Sequence, residues 1–180
     1  MSILGAIFAG GAARRFGADK AAAPIDGRAM IAHVAARLRP QCDALVVVGR
    51  AWPGLTQVAD RPRPGLGPLG ALAGALCHAQ AHGHDLVLTS GCDLPDLPLD
   101  LATLLAPAPA VIQGQPLLGL WRADQAGALL DWLDRSGDRA MRGWIAEAGA
   151  RRVTPAAPPA NINTQDELAA YLAGRADPLP

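Results

Sequence analysis

The chain has 180 residues, enough for one domain with a substantial core. Its 16 Lys and Arg balance 16 Asp and Glu, which argues against bulk electrostatic attachment to nucleic acid or to a membrane surface. Apolar residues make up 51% of the chain, yet no run reaches the roughly 18 residues that a membrane helix needs.

The N-terminus carries no basic segment ahead of its first apolar stretch, so it does not read as a signal peptide, and a cytoplasmic protein is expected. Cys42, Cys77 and Cys92 are widely spaced and odd in number, with no CxxC pair. That spacing suggests neither a zinc site nor a disulfide framework, only reduced thiols.

In chain order, Ile3 to Ala9 reads as a buried strand that ends at Gly10-Gly11. Glycine lets the backbone turn and approach a ligand closely. Arg14, Arg15 and Lys20 follow within ten residues, and a strand running into such a loop suggests a phosphate site. It is not a Walker A loop, because Ala21 follows Lys20 where Ser or Thr is needed. Nor do Gly10, Gly11 and Gly17 have the spacing of a dinucleotide fingerprint.

Asp26-Gly27 is a turn signal, and Met30, Ile31, Val34 and Leu38 recur at helical spacing up to Pro40. Leu45 to Val48 predicts a second strand ending at Gly49, and Val58-Ala59 a short third ending at Asp60. Residues 61–68 are too rich in Pro and Gly for a regular element. A helix carrying Leu69, Leu72, Ala73, Leu76 and Cys77 follows, then a strand over Leu86 to Thr89 that runs into Cys92-Asp93-Leu94-Pro95. Leu101, Leu104 and Leu105 predict a short helix, stopped by Pro107.

Ala110 to Gln113 and Pro116 to Trp121 read as strands separated by Gly114. Helices are expected around Ala126 to Leu133 and over Arg139 to Ala148, with a last strand at Arg152 to Thr154. Thr164 and Glu167 form a capping box for a closing helix that buries Leu168, Tyr171 and Leu172. Strands alternating with helices predict an α/β fold: a single-domain, Rossmann-like three-layer sandwich with a mainly parallel sheet, spanning residues 1–180. Ligands in such sheets sit at the carboxyl ends of strands, which places residues 9–20, Gly49, Asp60 and Asp93 along one edge.

Lys20 is the only lysine in the chain, beside the glycine loop, and an ammonium on a flexible stem suits a phosphate that moves during reaction. Its bland alternative is a solvated surface lysine. Asp93 stands just past a strand, where a carboxylate suits Mg²⁺; the alternative is a turn aspartate capping its own backbone. Arg14 and Arg15 are candidate phosphate clamps, with Arg61 and Arg63 as an extension of the patch. His33, His78, His82 and His84 have no ligand-like spacing.

Four segments carry a family resemblance: Phe8-Ala-Gly-Gly through Asp19-Lys20, Gly67-Pro68-Leu69 through Gly74, Cys92-Asp93-Leu94-Pro95, and Asn161-Ile-Asn-Thr164 through Leu168. The first resembles the signature loop of nucleotidyltransferases. Together they are most similar to the molybdenum cofactor guanylyltransferases. The resemblance implies transfer of GMP from GTP to the terminal phosphate of molybdenum-molybdopterin, with pyrophosphate leaving and Mg²⁺ as cofactor. It implies nucleotide contacts from Phe8, Ala9, Gly10, Gly11, Lys20, Gly49, Asp60 and Asp93, with Asp93 also holding the metal. Lys20, Arg15 and Asp93 become the catalytic set, and Arg14, Asn161 and Asn163 the acceptor contacts. Molybdoenzymes or their chaperones are the implied recipients of the product.

Three positions depart from the family pattern. Gly49 stands where relatives place a nucleotide-contacting asparagine, Gln165 replaces a proline, and Gln115 replaces a histidine. The missing Cβ at Gly10 favours a purine over the cytidylyltransferase alternative. A sugar-1-phosphate nucleotidyltransferase and a non-catalytic molybdopterin carrier are the remaining alternatives.

Overall fold

The computed structural model describes residues 1–10, 16 and 19–176 of the chain. In order, its elements are β1 (Ile3–Phe8), β2 (Pro24–Ile25), β3 (Arg28–Ala29), α1 (Met30–Leu38), β4 (Ala44–Val48), β5 (Thr56–Val58), α2 (Gly67–Ala81), β6 (Leu86–Gly91), α3 (Leu101–Leu105), β7 (Ala110–Ile112), β8 (Gln115–Arg122), α4 (Ala126–Ser136), α5 (Met141–Glu147), β9 (Arg151–Val153) and α6 (Gln165–Ala176).

Seven strands make one sheet in the order β5-β4-β1-β6-β8-β7-β9. β5, β4, β1 and β6 pair in parallel, as do β7 and β9. β8 is the exception, antiparallel to both β6 and β7. It follows β7 through a tight turn at Gly114, whose φ of 81° suits glycine, so the chain reverses there instead of crossing over. The sheet is therefore mainly parallel, as the alternation of elements predicts.

Side chains alternate across the strands and build two cores. Leu4, Ala6, Phe8, Val46, Val48 and Val87 face α2, α4 and α5. Ile7, Ala9, Val47 and Leu88 face α1 and α3 on the other side. This is the expected three-layer α/β arrangement. A third, smaller cluster joins Phe16, Ile25, Met30 and Ile162 to the half-buried Leu168, Tyr171 and Leu172 of α6.

Several local expectations shift. The third strand ends at Val58, while β6 runs two residues further than predicted, to Gly91. The helix expected over 139–148 is confined to Met141–Glu147. Gly67 and Pro68, predicted as loop, open α2, because proline is tolerated in the first helical turn. The Asp26-Gly27 turn closes the small β2–β3 hairpin, which the sequence pattern did not suggest; both turn residues have positive φ. The capping box forms as predicted: the Glu167 amide donates to Thr164 Oγ1, and the Thr164 amide donates to Glu167.

α2 is buried nearly all round from Leu69 to Leu76, not on one face. It lies between the sheet and helices α4 and α5, and the loop after β5 rests on its remaining side. Gly70 and Gly74 permit that contact. The Arg61 amide donates to the Gly70 carbonyl at 3.0 Å, and a Cβ on Gly74 would collide with the Ala59 carbonyl oxygen.

α6 is tied down at its far end. Tyr171 Oη donates to Asp96 at 2.7 Å, and Arg175 reaches both Asp26 and Asp96. Burial and the Asp96 carboxylate together push the Tyr171 phenol up to about 12.

The Gly74 contact generates a prediction with a definite sign. Helix propensity alone favours Gly74→Ala by about 1 kcal/mol. Overpacking against Ala59 costs about 1–3 kcal/mol, so the variant should melt lower than the parent. A raised Tm would show that the loop yields freely.

Candidate active site

The parallel register brings the site together. Phe8 pairs with Val48 and with Gly91, and Val48 pairs with Val58. Four strands therefore end in line, and Gly10, Arg50, Asp60 and Asp93 each lie two residues beyond. The chain winds outward from β1 through β4 to β5 and then returns to β6 on the other side of β1, which makes this edge a topological switch point.

A cleft of about 640 Å³ opens there. Phe8, Ala9, Gly10, Lys20, Gly49, Asp60 and Asp93 all line it. Gly11, Arg14 and Arg15 lie outside the described residues. Arg61 and Arg63 are exposed and do not line the cleft.

Lys20 is the hub. Its Nζ donates to Asp93 Oδ2 at 2.8 Å and to Asn163 Oδ1 at 2.9 Å. The Lys20 and Asp93 side chains are only 14% and 18% exposed, so water screens the pair weakly. The solvated-lysine alternative is thereby removed.

Asn163 arrives because Ile162 is buried and its amide donates to the Asp93 carbonyl at 3.0 Å. Asn161 Oδ1 is buried and, among the described residues, has no hydrogen-bond partner. Burial of that kind is costly unless a partner completes the bond.

Gly10 and Gly49 approach backbone to backbone. Gly49 has φ of +92°, and a Cβ there would stand 2.6 Å from Gly10 Cα. A Cβ on Gly10 would stand 3.2 Å from Gly49 Cα. The missing Cβ at Gly10 thus serves the close meeting of two loops. The Gly49 amide already donates to the Val58 carbonyl, so that amide is not free for a base.

One further cleft residue, Arg50, carries no signal in the sequence pattern. Arg50 grips Asp19 through both arms of its guanidinium, at 2.6 and 2.7 Å, and packs 5.5 Å from the centre of the Trp52 ring. That grip holds the Asp19 carboxyl below its ordinary value. Burial pushes the Cys92 thiol up to about 11, and the neighbouring Asp93 adds to the effect, so Cys92 is a neutral thiol.

Among the described residues, no group of three His, Cys, Asp or Glu side chains is placed to cage a metal. Asp93 Oδ1 accepts no hydrogen bond among those residues. One carboxylate with a free oxygen in the wall of the cleft fits a hard cation that keeps several waters and rides on substrate phosphates.

A second depression, about 910 Å³, lies at the opposite edge of the sheet. Its charged groups are engaged with protein atoms: Arg122 pairs with Asp124, and Asp85 accepts from the Ser2 amide. It offers no comparable set of convergent groups.

Residues 5–158 match the model of the MobA-like NTP transferase domain. A protein of Acidiphilium cryptum named molybdenum cofactor guanylyltransferase is 37% identical over 183 residues, covering 94% of this chain and 93% of its own. A protein of the same name from Rhodobacter capsulatus is 36% identical, covering 94% of each chain. The chain belongs to the molybdenum cofactor guanylyltransferase family of MobA-like NTP transferases. It is a nucleotidyltransferase. Its fold matches the molybdopterin-guanine dinucleotide biosynthesis protein A of Archaeoglobus fulgidus, with TM-score 0.75 at 18% identity over 96% of this chain and 98% of that one. No helix among the described residues is long and apolar enough to cross a membrane.

Two predictions follow from the geometry. Gly49→Ala adds a Cβ that the Gly10 backbone blocks, at a φ that side chains rarely adopt, so it should lower both Tm and nucleotide affinity. An unchanged Tm would contradict the close approach, and unchanged affinity by calorimetry its part in nucleotide binding.

Burial holds the Asp60 carboxyl above its ordinary value. A raised acid stabilises the fold fully below its unfolded pKa, and that contribution is lost as pH rises through the folded pKa. Asp60→Asn should therefore melt above the parent at neutral pH and lose that advantage below the ordinary carboxylate range. A shift independent of pH would refute the assignment.

Proposed function

We propose that this chain transfers GMP from GTP to the terminal phosphate of molybdenum-bearing molybdopterin, releasing pyrophosphate. The observation that carries the reading is the Lys20 ammonium held between Asp93 and Asn163 in a cleft at the carboxyl edge of the sheet. The 37% identical relative named molybdenum cofactor guanylyltransferase supports the choice of reaction.

Phe8, Ala9 and Gly10 form the floor against which the nucleotide lies, and Gly49 and Asp60 close its far side. Lys20 turns from Asp93 toward the phosphates as they enter, its four-carbon stem allowing the ammonium to follow the charge. Asp93 is then free to hold a divalent cation, proposed as Mg²⁺. The cation supplies charge neutralisation at the phosphate oxygens. Asn163 and Asn161 face the acceptor and orient its phosphate for in-line attack on the α-phosphorus.

Gly11 joins the nucleotide floor, and Arg14 and Arg15 serve the acceptor and the phosphates, on the strength of the family motif. No side-chain nucleophile is needed, because positioning and electrostatics supply the catalysis.

Residues 1–180 act as one nucleotidyltransferase domain in the cytoplasm, delivering product to molybdoenzymes or their chaperones. Nucleic acid and membrane take no part.

Lys20→Ala and Asp93→Ala should each slow turnover on the order of 100- to 1,000-fold with melting little changed. The test is pyrophosphate release with Mg²⁺ and molybdenum-bearing molybdopterin, comparing GTP, CTP, ATP and UTP. GTP preference supports the reading, CTP preference overturns the base, and silence with all four overturns the reaction.

A further inference from the structure

The proposed mechanism uses Lys20 and leaves its neighbour Asp19 without a part. The two adjacent residues pair in opposite directions. Asp19 is gripped by Arg50, two residues beyond β4, and Lys20 is held by Asp93, two residues beyond β6. β1 lies between those strands, so one dipeptide spans three strand ends.

Stability does not explain the Arg50 pair. Its side chains are 35% and 43% exposed, and exposed pairs contribute about 0–1 kcal/mol. Yet the geometry is fully specified. Both arms of the guanidinium are occupied, the carboxylate is met edge to edge, and Trp52 backs the guanidinium. The Asp19 carboxylate fixes the orientation of the Arg50 guanidinium through two of its N–H donors. The place of Arg50 in the cleft wall is beside the chain that leads into Lys20.

The asymmetry between the two pairs decides the role. On the mechanism above, substrate draws Lys20 away from Asp93 and Asn163. Among the described residues, the side-chain tie that then still joins the Asp19-Lys20 dipeptide to the sheet is Arg50–Asp19. The short 3₁₀ turn starts at Lys20 and depends on the Asp19 carbonyl, which accepts from the Ala22 amide at 3.1 Å. Fixing Asp19 therefore fixes the point from which the Lys20 stem extends.

We propose that Arg50 is a positioning residue of the transferase reaction, acting through Asp19 to hold Lys20 over the nucleotide phosphates. The inference rests on the functional reading above but is tested separately from turnover. GTP affinity with Mg²⁺ is measured by calorimetry for the parent, Arg50→Ala, Asp19→Asn, Lys20→Ala and the Arg50→Ala/Lys20→Ala double variant, with melting curves for each.

A charge-assisted hydrogen bond to a phosphate is worth roughly 10- to 100-fold in affinity, so Arg50→Ala and Asp19→Asn, which let Lys20 drift, should each weaken GTP binding by up to that much with Tm almost unchanged. In the Lys20→Ala background, Arg50→Ala should add no further loss. Arg50→Lys keeps the charge but loses the fork, and should fall between parent and alanine.

An equal loss in both backgrounds would mean that Arg50 touches the nucleotide itself or supports the fold, and would overturn the proposal. So would unchanged affinity in Arg50→Ala. A parent that binds GTP with this pattern but releases no pyrophosphate would sink the reaction assignment while leaving the positioning role intact.

Discussion

β1 sits between two parallel neighbours, and its last residue, Phe8, is in register with Val48 on one side and Gly91 on the other. Parallel pairing makes all of these strands point the same way, so their carboxyl ends share one edge. The residues that follow are then released from the ladder at the same height. Gly10, Arg50, Asp60 and Asp93 meet because each lies two positions past a strand end in that line. A one-residue slip would turn side chains to the opposite face and scatter the set.

The cleft built this way keeps its charges paired. Lys20 with Asp93, and Arg50 with Asp19, are oppositely charged couples whose strengths differ in kind. The first is well covered from water and bonded through a single ammonium. The second is wetter but bidentate and therefore geometrically rigid. On the proposed mechanism one partner is exchanged for incoming phosphates and the other stays fixed, and that difference serves both. The point charge on a flexible stem suits the exchange, and the planar fork suits the anchor.

Packing farther away sets how steady the edge is. α2 lies buried on nearly all sides, and its small residues let the loop carrying Asp60 settle directly on the helix. α6 is fastened through Tyr171 and Arg175 to Asp96, Asp26 and the third hydrophobic cluster. That fastening brings the Asn161–Asn163 segment against Asp93, 68 or more residues away in sequence. The end of the chain thus meets Lys20 and Asp93 at the cleft.

Local chemistry was legible in the residues alone. Apolar runs, the Asp26-Gly27 turn, the Thr164–Glu167 capping box and the alternation of strands with helices determined the layers and the mainly parallel sheet, because each depends on neighbours a few positions apart. The glycine loop and Lys20 suggested a phosphate site for the same reason, and the resemblance of four segments, Cys92-Asp93-Leu94-Pro95 among them, to the nucleotidyltransferases supplied the class of chemistry. Tertiary structure alone decided the antiparallel setting of β8, the burial of α2 on all sides, the Gly10–Gly49 contact and the pairing of Asp19 with Arg50. Those features depend on which distant backbones come within a few ångströms of one another. An arginine after a strand looks the same in sequence whether it meets solvent or a carboxylate 31 residues away, and only the folded sheet distinguishes the two.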